Sequence, residues 1–246
     1  MSELAIIGGT GLTQIETLEI RDREIVHTPY GEPSAPLTHG ILFGREILFL
    51  PRHGYGHTIP PHKINYRANI WALKQAGAKS VLSVAAVGGI RMGMKPGTLV
   101  IPDQIIDYTW SRVTTFFEEG LKQVTHIDFT EPYSDVFRKK VLEAAKMAKV
   151  TIIDGGTYAA TQGPRLETAA EINRLEKDGC DIVGMTGMPE AALARELDID
   201  YATCAVVANL AAGRGDGEIT MKEIETELAR GMEKVATILE QLVTIA

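Results

Sequence analysis

The strongest constraint in this sequence is a repeated pairing of short, almost wholly apolar runs with segments of helical spacing. Leu4–Ile7, Glu46–Pro51 (EILFLP), Lys79–Val87 (KSVLSVAAV), Asp181–Met185 (DIVGM) and Ile199–Asn209 (IDYATCAVVAN) are the apolar runs. A strand that is apolar on both faces must be covered on both faces. That condition is met in parallel or mixed sheets flanked by helices, not in sheets with one wet side. Asn65–Ala76 (stopped by Gly77), Tyr133–Ala148 and Thr168–Lys177 (followed by Gly179) have helical spacing. Pro189 opens a helix through Leu197, and Thr220 begins one long helix to the C-terminus with Glu223 placed three residues on as the capping-box partner. Thr98–Ile106 reads as a strand interrupted near Pro102. Val150–Tyr158 begins another, which Gly163-Pro164 breaks. The expected fold class is α/β, a twisted mixed sheet flanked by helices. With no linker, repeat or low-complexity stretch, a single domain over residues 1–246 is expected.

Charge and cysteine usage exclude several functions. The net charge of −7 is spread along the chain with no basic block, which argues against nucleic acid as a partner. A small anion remains a possible ligand, because a few local cations and amides suffice to hold one. Cys180 and Cys204 stand in unrelated contexts, with no CxxC pair and no metal-ligand spacing. No metal is expected, and a reducing, cytoplasmic setting fits. The N-terminus meets glycine by Gly8, too early for a signal-peptide core. No apolar run approaches the roughly 20 residues of a membrane span, so no membrane partner is expected.

Polar and glycine residues gather just beyond the apolar runs, where ligands tend to bind in α/β sheets. They are Thr10, Arg52-His53, Gly88-Gly89, Glu167, Thr186 and Asn209. Gly8-Gly9-Thr10-Gly11 can turn backbone N–H groups toward an anion, with a threonine hydroxyl added, or can be a plain tight turn. A dinucleotide fingerprint would need glycine where Gln14 stands, so a nicotinamide cofactor is disfavoured. Arginine is a good bidentate phosphate partner and His53 is read as a second donor. Taken alone, the pair reads more readily as a solvated strand end than as a site, and Thr186 more readily as a hydroxyl satisfying backbone.

Six segments, taken in order, carry a resemblance: IIGGTGL (6–12), RHGYGHTIPPHKINYRANIWALK (52–74), AVGGI (86–90), TQGPRLET (161–168), GMTGMPE (184–190) and YATCAVVAN (201–209). Together they resemble the trimeric purine nucleoside phosphorylase and methylthioadenosine phosphorylase family over nearly the whole chain. The resemblance implies the phosphorylase fold, a homotrimer with sites at subunit interfaces, and attack of inorganic phosphate on C1′ of a nucleoside as the purine leaves. Phosphate is then a co-substrate and no cofactor is needed. By matching position it implies phosphate binding by Thr10, Arg52, His53, Thr186 and the backbone N–H of Ala86. It puts Met185 beneath the ribose and Glu167 and Asn209 against the purine.

The same resemblance divides by base and sugar. A 6-oxopurine presents an acceptor at O6 and a donor at N1, and Asn209 with Glu167 offers the complementary amide and carboxylate. The adenine-specific branch carries aspartate at the positions of Asn209 and Ala211, so hypoxanthine or guanine is expected here. At the 5′ end, Ile219, Met221 and Ile224 are apolar and His126 matches a histidine supplied by a neighbouring subunit, as in the methylthio branch. An apolar, sulfur-tolerant pocket suits a methylthio group; ordinary helix packing would also explain Met221 and Ile224. Combining both ends, the expected substrate is S-methyl-5′-thioinosine, with methylthioadenosine or inosine and guanosine as the alternatives. Two positions depart from the family pattern. Ala85 stands where Asn or Thr is common, and Leu166 where an aromatic residue stacks on the base.

Overall fold

Alternate residues of the first strand enter two different cores. In β1 (Leu4–Gly8), Ala5 and Ile7 join one apolar cluster and Leu4 and Ile6 another. That period of two is what a strand buried on both faces produces. The computed structural model describes residues 3–9 and 18–245. After β1 come β2 (Leu18–Glu24), β3 (Leu37–Leu42), β4 (Arg45–Pro51), α1 (Tyr66–Gln75), β5 (Ser80–Gly89), β6 (Leu99–Ile101), β7 (Gln104–Asp107) and α2 (Asp135–Met147). The second half holds β8 (Ile152–Asp154), β9 (Thr157–Ala160), α3 (Ala169–Lys177), β10 (Ile182–Gly184), α4 (Gly187–Glu196), β11 (Asp200–Leu210) and α5 (Met221–Ile245).

The expected mixed sheet is present. Its main path runs β2-β3-β4-β1-β5-β10-β9-β7, with β11 joining β5 to β6 and β6 pairing β8. Helices α1 and α4 close one face, with Ile70, Leu73, Ala191 and Leu193 in the first core. Helices α2 and α5 close the other, with Phe137, Val141, Val235, Ile238 and Leu242 in the second. Side chains stop the helices at their N-termini. Asn65 accepts from the Ala68 N–H, Thr168 and Glu171 form a capping box, and Thr220 and Glu223 bond reciprocally at 3.3 Å.

One expectation changes, and one pairing is new. The stretch Val150–Tyr158 is two strands, because Gly155 and Gly156 take positive φ (+85° and +123°) and turn the chain. β8 then pairs β6, whereas β9 pairs β7 and β10. The antiparallel pair β2–β3 was not predicted. β2 (LEIRDRE) is an exposed edge too charged to read as a strand, and charge of that kind protects an edge from pairing.

The feature that positions a site is a break along one edge of β5. Parallel β1 pairs Ser80–Val84, and antiparallel β10 pairs Gly88 and Gly89. The two strands approach each other along that edge and stop short, leaving Ala85–Val87 without a strand partner there among the described residues. Ala86 is the one exposed residue in this otherwise buried strand. On the opposite edge β11 stays paired, but its register slips between Val207 and Asn209, so Ala208 is an extra residue. Such a bulge re-aims the side chain that follows it, here Asn209. Near the break, a Cβ at Gly89 would collide with the backbone carbonyl of Met94. A backbone atom cannot step aside as a side-chain tip can. We expect Gly89→Ala to cost about 1–3 kcal/mol of stability, read as a lower denaturant midpoint.

Candidate functional site

Residues from four strand ends meet at this break. The Arg52 N–H donates to the Gly8 carbonyl at 2.8 Å, tying the end of β4 to the end of β1. The Arg52 side chain is 1% exposed and turns inward. Its Nε and Nη2 donate to the two oxygens of Glu190 at 2.7 and 2.9 Å, Nη2 also donates to Ser83 Oγ at 2.7 Å, and Nη1 donates to the Val84 carbonyl at 3.2 Å. The bidentate fork read from the sequence as a phosphate clamp is therefore taken by Glu190. Described partners account for four of the five guanidinium N–H groups, and the fifth is on Nη1, the nitrogen nearest Gly9. Burial opposes the Arg52 charge, but the Glu190 carboxylate outweighs it and holds the guanidinium protonated more firmly than usual.

Glu190, Ser83 and Tyr201, whose hydroxyl donates to Glu190 at 2.8 Å, were not singled out in the sequence. The signal for Glu190 was present, because a carboxylate opening the apolar helical stretch PEAALA needs a buried cation.

His53 is also buried. Its Nδ1 lies 2.8 Å from the Ile59 carbonyl, and the Ile59 N–H donates back to the His53 carbonyl at 3.1 Å. A carbonyl only accepts, so Nδ1 carries the ring proton. In the neutral ring Nε2 is then an acceptor, which corrects the reading of His53 as a second donor. His57 stacks on the ring at 4.2 Å. Burial and then the neighbouring Arg52 charge push the His53 pKa down to about 4.

Thr186 is buried just ahead of α4, and its N–H faces the Tyr158 hydroxyl at 3.5 Å. Thr10 lies outside the described residues.

The other half of the set surrounds the segment Ala211–Gly213. Ala211 packs beside Gly88, and Gly213 beside Ala169 at the start of α3. Asn209 lies on one side, in a hollow of about 450 Å³ walled by Ala211, Gly213, Ile219, Lys222 and Glu223. Its Nδ2 donates to the Leu210 carbonyl at 2.8 Å. Glu167 lies on the other side, in a hollow of about 400 Å³ with Tyr108, Trp110 and Gln162. Its Oε1 accepts from Thr161 Oγ1 at 2.7 Å. Met185 packs over Gly163, whose positive φ brings the chain close to its sulfur.

Arg112, also missed in the sequence, holds this half together. It donates to the carbonyls of Met185, Met188, Thr161 and Gln162, at 2.6 to 3.2 Å. The remaining predicted residues are not brought in. Leu166 and Met221 are exposed, Ile224 packs against the second core, and His126 is exposed on the irregular segment between β7 and α2. Among the described residues no cluster of ligands would hold a metal ion, and no helix is long and apolar enough to cross a membrane.

A model of the Phosphorylase superfamily matches residues 3–244. The chain belongs to that superfamily. Sequence relatives of this phosphorylase include a probable S-methyl-5′-thioinosine phosphorylase of Pseudomonas syringae pv. tomato, 55% identical over 99% of both chains. A 6-oxopurine nucleoside phosphorylase of Pyrococcus furiosus is 46% identical over 97% of this chain and 91% of its own. Among solved structures, methylthioadenosine phosphorylase from Schistosoma mansoni in complex with adenine superposes with a TM-score of 0.94. It is 30% identical and covers all of this chain and 92% of that one. The phosphorylase is thus similar in structure to an enzyme named for a methylthio nucleoside, and in sequence to enzymes named for methylthio and 6-oxopurine nucleosides alike.

Proposed function

We propose that this phosphorylase splits S-methyl-5′-thioinosine with inorganic phosphate, giving hypoxanthine and 5-methylthioribose 1-phosphate. The observation that carries the reading is the 55% identity, over 99% of both chains, to the Pseudomonas relative of that name. The geometry supports it. The open edge of β5 at Ala86, flanked by Gly9, Arg52 and Thr186, is a place for phosphate. Thr10, the Ala86 N–H, the Thr186 hydroxyl and the remaining Arg52 Nη1–H are its proposed donors. Met185 lies under the ribose in this reading. Glu167 accepts from N1–H of the purine, and Asn209 donates toward O6 and N7, where negative charge builds as the base leaves. Catalysis of this kind is positioning plus electrostatic stabilisation, with phosphate beside a cationic C1′. We further propose one domain acting in the cytoplasm as a homotrimer. His126, on a segment that also exposes Trp110, Val113 and Val124, would then complete a neighbour's 5′ pocket.

A second reading, a general 6-oxopurine nucleoside phosphorylase, is favoured by one feature. Met221 stands exposed and Ile224 packs inward, so neither lines the hollow at Asn209. Phosphate-dependent base release from methylthioinosine, methylthioadenosine and inosine, run side by side, separates the readings. We expect methylthioinosine to lead in kcat/KM by about tenfold or more, about 1.4 kcal/mol in transition-state binding. Inosine in the lead would transfer the conclusion to the second reading. Methylthioadenosine in the lead would overturn the base assignment.

A further inference from the structure

We propose that His53 serves the phosphate site as a hydrogen-bond acceptor at Nε2, so that the site selects an oxyanion that itself carries a proton. The inference rests on the phosphorolysis reading above and deepens it by naming the form of phosphate bound. Its basis is the fixed tautomer. Nδ1 is committed to the Ile59 carbonyl at 2.8 Å, and the return bond from the Ile59 N–H locks the same pair of residues. The ring is held on its face by His57 at 4.2 Å. Its free edge looks toward Gly9, where a Cβ would lie 3.6 Å from Cδ2, 3.9 Å from Nε2 and 4.0 Å from Arg52 Nη1. A Cβ there would sit at ordinary contact distance from both groups and fill the space that glycine leaves to a ligand. Nε2 has no hydrogen-bond partner among the described residues, and Gly8, Gly9, His53 and His57 border a small hollow of about 70 Å³ there.

The ionisable groups facing the ring are Arg52 beside it, His57 on its face, and Glu190 from α4. Arg52 and burial oppose a second proton on the ring more strongly than Glu190 favours it.

The consequence is a complementary pair. Arg52 Nη1–H and the Ala86 N–H can only donate, and the Thr186 hydroxyl donates in the reading above, so these three meet bare phosphate oxygens. His53 Nε2 can only meet a P–OH. Hydrogenphosphate has one P–OH and three bare oxygens at neutral and alkaline pH, so it satisfies every partner in one orientation. Its proton stays on phosphate while a bare oxygen bonds C1′ and the C–N electron pair leaves with the purine, whose anion then takes up a proton from solvent to give the free base. Arsenate offers the same pattern. Sulfate offers no proton, so it faces Nε2 with lone pair against lone pair unless the ring first takes a proton from solvent. A buried acceptor left unmatched is costly in just this way.

The test is calorimetric titration of the full-length protein at pH 8 with inorganic phosphate and, separately, with sulfate, in buffers of different ionisation enthalpy. Phosphate is expected to bind with no net proton uptake. Sulfate is expected to bind at least about tenfold more weakly, to take up about one proton, and to weaken roughly tenfold for each further pH unit. His53→Gln, whose amide can present either an oxygen or an N–H, is expected to narrow the phosphate-to-sulfate ratio to about threefold or less. Uptake of a proton with phosphate, or sulfate binding equal to phosphate at pH 8, overturns the proposal while phosphorolysis itself stands. Base release that ignores phosphate altogether overturns the underlying reading instead.

Discussion

Replacing Glu190 with alanine is expected to destabilise the protein by about 3–5 kcal/mol, measured as a shift in the denaturant unfolding midpoint. Arg52 and Glu190 have side chains 1% and 0% exposed and meet through two hydrogen bonds of 2.7 and 2.9 Å. Removing the carboxylate leaves a guanidinium in the core with only Ser83 and the Val84 carbonyl as described partners, and it strips the Tyr201 hydroxyl of its acceptor. The loss therefore comes from an uncompensated charge more than from the missing contact. Two companion variants separate these terms. Glu190→Gln keeps an acceptor for Tyr201 and for one arm of Arg52 but no charge, so an intermediate loss is expected. The double variant Arg52→Met, Glu190→Leu removes both charges, and replacing a buried pair by apolar groups is often near neutral. It is expected to regain most of the stability while phosphate-dependent turnover stays lost, because the Nη1 donor beside Gly9 has gone. A Glu190→Ala protein less than about 1 kcal/mol below the parent would show that the pair contributes little in this core.

The contrast between Arg52 and Glu190 shows what was legible from residues alone. Arg52 follows an apolar strand and stands two residues before Gly54, so its place at a strand end could be read from local pattern. Its partner is 138 positions away and belongs to another helix. No local pattern reports such a pairing, and only the oddity of a carboxylate in PEAALA hinted at it. The same division runs through the fold. The apolar runs and the glycines after them marked β1, β4, β5 and β11 well, since burial on both faces leaves a direct imprint on composition. The charged edge strand β2 left no such imprint. Nor did the bulge at Ala208, because an inserted alanine in an apolar strand looks like any other. The convergence of β1 and β10 on one edge of β5 is a property of pairing, which single-strand patterns do not encode. His53 gives a finer example. Its position was legible, but its tautomer depends on the Ile59 carbonyl, and a backbone group has no sequence signature.

At Asn209 the largest effect on turnover is expected, and the bulge explains why one side chain should matter so much. The extra residue Ala208 leaves Asn209 paired opposite Gly88 but re-aims its side chain toward the hollow beside Ala211 and Gly213. Its Nδ2 carries two hydrogens. One is spent on the Leu210 carbonyl at 2.8 Å, which fixes the plane of the amide. The second is then pre-aimed, so it can stabilise charge on a departing purine without reorganising. Loss of one such donor lowers kcat by about a hundredfold to a thousandfold where it has been measured in other enzymes, and Asn209→Ala is expected to fall in that range. Asn209→Asp tests the base assignment more sharply. An aspartate there meets the Leu210 carbonyl oxygen with like charge and turns away from it, presenting an acceptor where the amide had presented a donor. A 6-amino group then finds a partner and O6 finds none. Glu167 is held separately through Thr161 Oγ1 at 2.7 Å and keeps its second oxygen for the base, so the change isolates Asn209. With about 1–3 kcal/mol at stake for an unmatched buried polar group, the kcat/KM ratio of methylthioinosine to methylthioadenosine should fall by about tenfold or more. An unchanged ratio would mean that Asn209 does not read the base, and that the discrimination lies with Glu167 or with the loop from Ala211 to Gly213.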